Sequence, residues 1–258
     1  MAAAGHDDVV SPRRQLPHIS SLEDVVAALA KAKKVVVLAG AGISVSCGIP
    51  DFRSKDGIYD MVQEMDLGLD DDPQCLFDLE FFMDDPEPFY RFAHKLYPKG
   101  VQPSATHHFL ARLEAEGKLR RVYTQNIDGL EAAAGVSGSH LVCAHGSLGT
   151  VTCSLKGGCR KTFPADVIRA DVDAGRVATC PHCREGGDGG GGGGKDKGEG
   201  SKKKKKKRKG GKECVLKPDV TFFGEAIKPA VKRAIESDRL KADLLIVLGT
   251  SLQVRALD

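Results

Sequence analysis

VVVLAGAGISVSCGIPDFR, residues 35–53, decides the fold of this chain. The β-branched run Val35-Val36-Val37-Leu38 stops at Gly40-Ala41-Gly42, and small polar residues then lead to Pro50-Asp51-Phe52-Arg53. An apolar strand ending in glycines where a helix begins lets backbone N–H groups come close to a pyrophosphate. We read the stretch as a dinucleotide loop at the end of a buried parallel strand. It is not the usual fingerprint, because Val45 stands where G-x-G-x-x-G requires its third glycine. On the glycines alone a plain tight turn stays open. The Asp-Phe-Arg that follows adds an acid, an aromatic face and a fixed cation just beyond the loop.

Working outward, Ser20-Ser21-Leu22-Glu23 is a helix-capping pattern, and Leu22, Val25, Val26 and Leu29 recur at helical spacing. A helical stretch rich in phenylalanine runs from Pro73 to Tyr97 and is interrupted near Pro86 and Pro88. Packing is the expected role of those rings. A further helix is expected from Thr106 to Glu116, closed by Gly117. Arg121-Val-Tyr-Thr reads as a second strand running into Gln125-Asn126-Ile127-Asp128. Buried-strand runs return at Val215–Phe223 and Leu244–Leu248, separated by a helical segment near 229–241. Strands alternating with helices predict an α/β fold around a parallel, Rossmann-like sheet with helices on both faces. The cysteine-bearing section 141–183 breaks that alternation and is expected to be a small inserted module.

Charge divides the chain more sharply than hydropathy does. Residues 186–212 hold eleven Lys/Arg against Asp188, Asp196 and Glu199, a net of +8 in a chain whose total is +3, so the remainder is net negative by five. Twelve of those 27 residues are glycine, and Lys202–Lys209 is an unbroken run of eight cations. Such a segment buries nothing and is expected to be disordered. It reads as a nuclear-import signal, a nonspecific attraction to nucleic acid, or a solvated linker. The hydrophobic content of the whole chain, 41%, is enough to build a core. No h-region follows Met1, and no apolar run approaches the roughly 20 residues that span a bilayer. The expectation is a soluble, intracellular chain with no membrane partner, placed in the nucleus by the basic run and otherwise in the cytoplasm. The expected division is a mobile tail over 1–20, a large domain of 21–145 and 213–258, a metal module over 146–185, and the Gly/Lys insertion 186–212.

Four of the eight cysteines form two local pairs, Cys153/Cys159 and Cys180-Pro-His-Cys183. Zn²⁺ takes four thiolates tetrahedrally in closed structural sites, and the separation of the pairs resembles a zinc ribbon. The first pair has five intervening residues, one more than the usual two to four. His182 is a substitute ligand of lower rank. A closed four-sulfur site has no open position, so the metal is expected to hold the module together and do no chemistry.

Gln125-Asn126-Ile127-Asp128 ends a predicted strand, where open α/β sheets place ligand contacts, although Asp128 equally suits a helix cap. His145, in Cys143-Ala-His-Gly-Ser, is the natural proton acceptor near neutral pH, against the plainer reading of a structural histidine. Cys143 is not read as its nucleophile.

Together these residues resemble the sirtuins. Gly40-Ala-Gly-Ile-Ser, Ile49-Pro-Asp-Phe-Arg, Thr124-Gln-Asn-Ile-Asp, His145-Gly, the four cysteines, Pro218-Asp-Val-Thr-Phe-Phe-Gly-Glu and Leu248-Gly-Thr-Ser-Leu occur in the family's order. The resemblance covers about 20–258 outside the insertion, and is nearest the branch with nuclear and cytosolic histone and tubulin deacetylases. It implies removal of acetyl groups from lysine with consumption of NAD⁺, releasing nicotinamide and O-acetyl-ADP-ribose. By resemblance Gly40, Ala41, Gly42 and Ser44 lie on the pyrophosphate and ribose side and Arg53 adds a cation. Asp51 and Phe52 belong to a mobile cofactor loop, where Phe52 screens the reacting sugar carbon. Gln125 and Asn126 contact the nicotinamide ribose and a water, and Asp128 holds the carboxamide. Gly249, Thr250 and Ser251 take the second ribose and phosphate. His145 is the general base, with Asn126 its catalytic companion. Phe222, Phe223, Gly224 and Glu225 form the strand on which an acyl-lysine peptide, from histones among other proteins, adds by main-chain pairing.

Departures from the family shape further expectations. Thr221 replaces a valine before the paired phenylalanines, leaving acyl-chain preference open. The insertion falls at a surface connection, where lengthening costs little. After Leu248-Gly-Thr-Ser-Leu-Gln-Val-Arg the sequence stops at Ala256-Leu257-Asp258, short of the family's adenosine-contacting segment. The sheet is therefore expected to lack its C-terminal strand and to expose an edge. Two classes are carried forward: an active NAD⁺-dependent deacetylase, and a catalytically weak, zinc-bearing binding module. Longer-chain deacylation and mono-ADP-ribosyl transfer are the alternatives within the family.

Overall fold

The computed structural model describes residues 16–69, 72–97, 100–153, 158–184 and 214–252. The insertion at 186–212, most of the expected tail and the last six residues lie outside them. Among the described residues seven strands make two sheets. β1 (Val35–Ala39), β2 (Leu119–Thr124) and β3 (Leu141–Cys143) belong to the first; β4 (Gly146–Cys153), β5 (Thr162–Pro164) and β6 (Leu216–Val220) form the second; β7 (Leu244–Leu248) returns to the first. The first sheet is parallel throughout, in the order β3-β2-β1-β7, with Val37 beside both Val122 and Ile246. The second is antiparallel, in the order β5-β4-β6.

Alternation along the strands places helices on both faces of the parallel sheet. Val35, Val37 and Ala39 of β1 and Val122 of β2 are fully buried and pack with Leu110 and Leu113 of the helix Ala105–Ala115. Tyr123, beside Val122, turns the other way to the helix Pro229–Arg239, where its hydroxyl donates to Asp238 at 2.7 Å. Arg120 and Arg121 pair with the same carboxylate at 2.8 and 2.5 Å. Burial works to raise the Asp238 carboxyl, and the hydrogen bonds from Arg121, Tyr123 and Arg120 outweigh it and hold the group below its ordinary value. The first helix, Leu22–Lys31, starts at Ser21 with a capping box: Asp24 N–H donates to Ser21 Oγ and Ser21 N–H to the Asp24 carboxylate. Among the described residues β7 pairs only with β1, and Leu245 on it is 60% exposed. No described helix is long and apolar enough to cross a membrane.

The second core corrects one expectation. The Val215–Phe223 run does not enter the parallel sheet; Leu216–Val220 pairs antiparallel with β4 at the edge of the small sheet. Pro218 explains this, since a residue without an N–H is tolerated at a sheet edge and breaks an interior ladder. The phenylalanine-rich segment packs with the module. Phe77, Phe82, Phe89, Tyr90 and Phe92 form one core with Val151, Ile168, Leu216, Val220 and Phe222. Phe222 is its centre, with the rings of Phe82 and Phe89 at 5.4 and 5.3 Å between centroids. The Tyr90 hydroxyl donates to the Leu216 carbonyl, tying that segment to β6.

Candidate active site

In a parallel sheet, ligands bind outside the carboxyl ends of the strands where the winding reverses. Here the chain leaves β1 towards β2 on one side and meets β7 on the other, so the crevice lies at the end of β1. The loops after β1, β2 and β7 converge there. They line a cavity of about 500 Å³ with Ala41, Gly42, Asp51, Phe52, Arg53, Gln125, Asn126, Gly249, Thr250 and Ser251. His145 enters it from the end of β3, and Thr221, Phe222, Phe223 and Glu225 from the end of β6. A side pocket of about 40 Å³ shares Ala41, Phe52, Asn126 and Ile127 with it and adds Ser44, Ile49, Pro50 and Asp128.

The glycines have a second reason beyond access for a phosphate. A Cβ on Gly40 would lie 2.6 Å from the Thr250 Cβ, and one on Gly42 would lie 2.8 Å from the Gly249 Cα. Gly249 itself has φ +63°, and a Cβ there would meet the Ile43 nitrogen at 2.6 Å. The β1 and β7 loops thus touch backbone to backbone. Gly42 N–H donates to the Gly249 carbonyl at 2.9 Å, and Gly40 N–H to the Leu248 carbonyl at 2.9 Å.

Polar groups in the crevice are held by one another. Gln125 Oε1 accepts the Thr250 hydroxyl at 2.9 Å, joining the β2 and β7 loops. The amide of Asn126 donates to Gly40 O at 3.2 Å and Ser44 Oγ at 3.3 Å. Ser44 is buried and donates to Asp128 Oδ2 at 2.7 Å, so its hydroxyl orients the acid. Asp128 Oδ1 accepts Leu130 N–H at 2.9 Å, from the position before Gly129, which is the N-cap of the short helix Leu130–Ala133. Asp51 builds its own loop, accepting Ser54 Oγ at 2.6 Å and the N–H groups of Ser54 and Arg53; those bonds, led by the Ser54 hydroxyl, pull its carboxyl down. Phe52 stands edge-on to Tyr59 and Phe77, at 5.8 and 5.7 Å.

His145 is half-buried, and its Nδ1 lies 3.0 Å from the Gln125 carbonyl oxygen. A carbonyl only accepts, so Nδ1 carries the proton in the neutral ring and Nε2 keeps its lone pair. Burial lowers the histidine below its usual value, against a smaller raising effect of the Gln125 bond. The ring is a free base at neutral pH. Cys143 ends β3 and His145 lies in the turn that follows it. Burial and the nearby Glu131 and Asp128 carboxyls push the Cys143 thiol up, away from the nucleophilic thiolate.

The substrate-strand residues divide. Phe222 is 2% exposed and belongs to the aromatic core, and Phe223 N–H and C=O are taken by Phe77 O and Leu79 N–H. Gly224 is exposed, with φ +84°. The Glu225 carboxylate turns inward, accepting Phe222 N–H at 2.7 Å and Lys217 Nζ at 2.8 Å. Sequence reasoning missed Lys217. It is 4% exposed, donates also to Val220 O at 2.6 Å and Pro218 O at 3.2 Å, and sits 4.1 Å from the Phe222 ring centroid. A lysine inside a buried-strand run demands a partner, and Glu225 eight residues on was the available signal.

His107 and Glu131 were missed as well. The ring of His107 lies beside two acids, with one ligand atom each of His107, Asp128 and Glu131 within 4.8 Å of one another; Ser104 N–H donates to His107 Nδ1 at 3.1 Å, so the neutral ring carries its proton on Nε2. That nitrogen and both Glu131 oxygens are buried without a hydrogen-bond partner of sound geometry. Burial, with Asp128 adding to it, raises the Glu131 carboxyl.

The four expected cysteines come together with their sulfurs within 4.8 Å of one another. Cys153 to Cys183 is 3.8 Å and Cys159 to Cys180 is 3.6 Å. A tetrahedron of Zn–S bonds near 2.3 Å has sulfurs about 3.8 Å apart, so the set fits zinc. The longer first spacing does not prevent it, and His182 stands outside the group.

The profile of the Sir2 family matches residues 40–256. The chain belongs to the Sir2 family. This Sir2 chain is 41% identical over 243 residues to a protein of Drosophila melanogaster named NAD-dependent histone deacetylase sirtuin-1, covering 94% of the chain and 28% of the relative. It is 39% identical over 247 residues to NAD-dependent protein deacetylase HST1 of Saccharomyces cerevisiae, covering 95% of the chain and 48% of the relative. With NAD-dependent protein deacetylase sirtuin-3 of Mus musculus it shares 42% over 237 residues, 91% of the chain and 60% of the relative. The chain therefore spans between about a quarter and three-fifths of the length of these relatives.

Proposed function

We propose that this Sir2 chain is an NAD⁺-dependent protein lysine deacetylase acting on acetylated proteins, histones among them. The observation that carries the reading is His145: a half-buried imidazole whose proton is fixed on Nδ1, whose burial keeps it neutral, and which lines the cavity. A lone pair so placed suits removal of a proton from a sugar hydroxyl.

The crevice suits NAD⁺. The side pocket ends in Asp128, an acceptor for a carboxamide N–H, held by Ser44 and by Leu130 N–H. Arg53 offers a cation, and Ala41–Gly42 and Gly249–Ser251, which touch backbone to backbone, line the cavity together. When bound, NAD⁺ supplies an electrophilic ribose carbon by loss of nicotinamide. In our reading Asp128 orients the carboxamide, Gln125 and Asn126 position the ribose, Phe52 excludes water, and His145 Nε2 accepts the hydroxyl proton. Gly224 and Glu225 offer the peptide main chain its docking edge, with Lys217 holding Glu225 in place. The four cysteines would hold a structural zinc in a closed four-sulfur site, which would join the ribbon to the aromatic core.

The direct test is nicotinamide release from NAD⁺ with an acetylated histone peptide, with mass analysis of the products. Release dependent on acetyl-lysine, with O-acetyl-ADP-ribose formed, supports the reading. Intact, zinc-loaded protein giving no NAD⁺-dependent product at high concentration overturns it in favour of a binding module. A mass signature of ADP-ribosylated peptide or of preferred longer acyl groups redirects it within the family. Nuclear placement rests on Lys202–Lys209, and unchanged nuclear accumulation of a tagged chain lacking that run removes it as the sole signal.

A further inference from the structure

Behind the side pocket lies a second layer of polar groups that the proposed reaction leaves unused. The pocket ends at Asp128, and neither His107 nor Glu131 lines it. Yet one ligand atom of each of the three lies within 4.8 Å of the other two. His107 is fully buried and Glu131 is 1% exposed. His107 Nε2 and both Glu131 oxygens have no hydrogen-bond partner of sound geometry. Native folds leave few buried polar atoms unpaired, so three beside a ligand-facing acid mark a group with a role there.

The β1 loop reaches this group from two sides. In front, Ser44 Oγ donates to Asp128 Oδ2 at 2.7 Å. Behind, Ser104 Oγ donates to the carbonyl of Ile43, the residue before Ser44, at 3.0 Å and lies 2.7 Å from His107 Nδ1. Two carboxyls this close do not both ionise readily, and the more deeply buried one stays neutral. That one is Glu131, whose carboxyl is raised by burial and further by Asp128. Burial also lowers His107, against the pull of Asp128, and keeps its ring neutral. Asp128 is left as the charge, beside two groups that each carry a proton to donate, the Glu131 carboxyl O–H and the His107 Nε2–H.

We propose that Glu131 and His107 are positioning residues for Asp128, a pair of donors that holds its carboxylate towards the side pocket and so sets how tightly that pocket takes a carboxamide. A carboxamide N–H bound to a carboxylate makes a charge-assisted bond, roughly twice as strong as a neutral one. With the donors behind it removed, the carboxylate turns away or takes up a proton itself, and either change loses that bond. Glu131→Gln keeps a neutral end with a donor at the same length, whereas Glu131→Met and His107→Leu keep only the bulk.

The inference rests on the reading that Asp128 holds the nicotinamide carboxamide, and the two are tested apart. NAD⁺ carries the carboxamide and ADP-ribose does not, so calorimetric affinities of the full chain for both ligands separate the pocket from the rest of the crevice. Asp128→Asn should bind NAD⁺ about tenfold more weakly and ADP-ribose within about twofold of wild type. Glu131→Met and His107→Leu should show the same contrast, and Glu131→Gln should stay within about twofold for both ligands. A merely structural role would weaken both ligands together or neither. Unchanged NAD⁺ affinity in Asp128→Asn refutes the carboxamide reading and the positioning with it. A normal Asp128 effect beside unchanged affinity ratios in Glu131→Met and His107→Leu, or a loss in Glu131→Gln equal to that in Glu131→Met, overturns the positioning alone. Infrared difference spectra between the NAD⁺-bound and ADP-ribose-bound forms need neither apolar variant. A neutral-carboxyl band that shifts in wild type and is missing from Glu131→Gln is expected, and its absence from wild type overturns the proposal.

Discussion

Lys217→Met keeps the length and apolar stem of the side chain and removes only its charged end. In the folded chain that ammonium is 4% exposed and meets three oxygens, of Val220, Pro218 and Glu225, besides the face of Phe222. Its removal leaves two backbone carbonyls without this donor and the Glu225 carboxylate with Phe222 N–H alone. Breaking a buried ion pair from one side costs about 3–5 kcal/mol, and the 30% exposure of the Glu225 side chain places this case near 3. For a chain of this size such a loss lowers the melting temperature by roughly 6–12 °C. The local effect falls on Val220–Glu225, so the KM for acetylated peptide rises more than the KM for NAD⁺. Adding Glu225→Gln removes the orphaned carboxylate, and the double variant should lose less than the sum of the two single losses. Thermal unfolding and peptide and NAD⁺ titrations of the three variants measure all of this. Stability within about 0.5 kcal/mol of wild type, the range of an ordinary surface change, with an unaltered peptide KM would show that Lys217 does not hold the strand.

Four further outcomes follow from the same geometry. His145→Ala should reduce turnover by about 10²–10⁴-fold with NAD⁺ binding retained, and the acid limb of the wild-type rate profile should fall below pH 6.5, because burial lowers that histidine and protonation removes the base. Gly249→Ala forces a side chain into a φ of +63° against Ile43, and an overpacking cost of about 1–3 kcal/mol should appear as a roughly 5–150-fold weaker NAD⁺ affinity by calorimetry. Asp238→Asn should destabilise by about 3 kcal/mol near neutral pH in urea titrations; the folded carboxyl is depressed, so that difference is present above its ordinary value of 3.8 and shrinks as pH falls through the folded one. Glu131 has the opposite sign: its folded carboxyl is raised, so wild type loses stability relative to Glu131→Gln as pH climbs from 4.5 towards the folded value, and a pH-independent difference would refute its placement in a dry pocket.

The strands and loops of the parallel sheet were legible because each is a short apolar run followed by glycine or small polar residues, a local pattern. Val35–Ala39 and Leu244–Leu248 appear where the pattern puts them. Leu141–Cys143 did not stand out, being only three residues long and next to the cysteines. The helix Leu22–Lys31 forms with its cap as read, yet has no buried residue, since periodicity states which residues share a face and not whether anything covers it. The Phe77–Phe92 rings were assigned to packing, but their partners Val151, Ile168 and Phe222 lie far away in the chain. Long-range pairing of that kind leaves no periodic trace. The same limit hid Lys217, His107 and Glu131, whose meaning comes from what lies opposite them. Ser44 is the reverse case. Its place in the loop was evident, but its hydroxyl faces Asp128, a partner 84 residues on.

His145 is the residue at which the two sheets join, one position after the β3 exit at Ala144 and one before Gly146 opens β4. Its two ends are fixed to different halves of the molecule. The ring donates to Gln125 O at the end of β2, on the cofactor side, and its own carbonyl accepts Thr221 N–H at 2.8 Å, beside the proposed peptide edge. A base fixed in this way keeps constant distances both to whatever occupies the crevice and to whatever lies along Phe223–Glu225. Misplacement of a reacting group by about 1 Å can cost 10²-fold in rate. Changes that let the small sheet shift against the parallel one should therefore lower turnover before they lower NAD⁺ affinity, even when they lie as far away as the cysteine tetrad. The zinc, without touching substrate, would act on catalysis through the Thr221–His145 hydrogen bond.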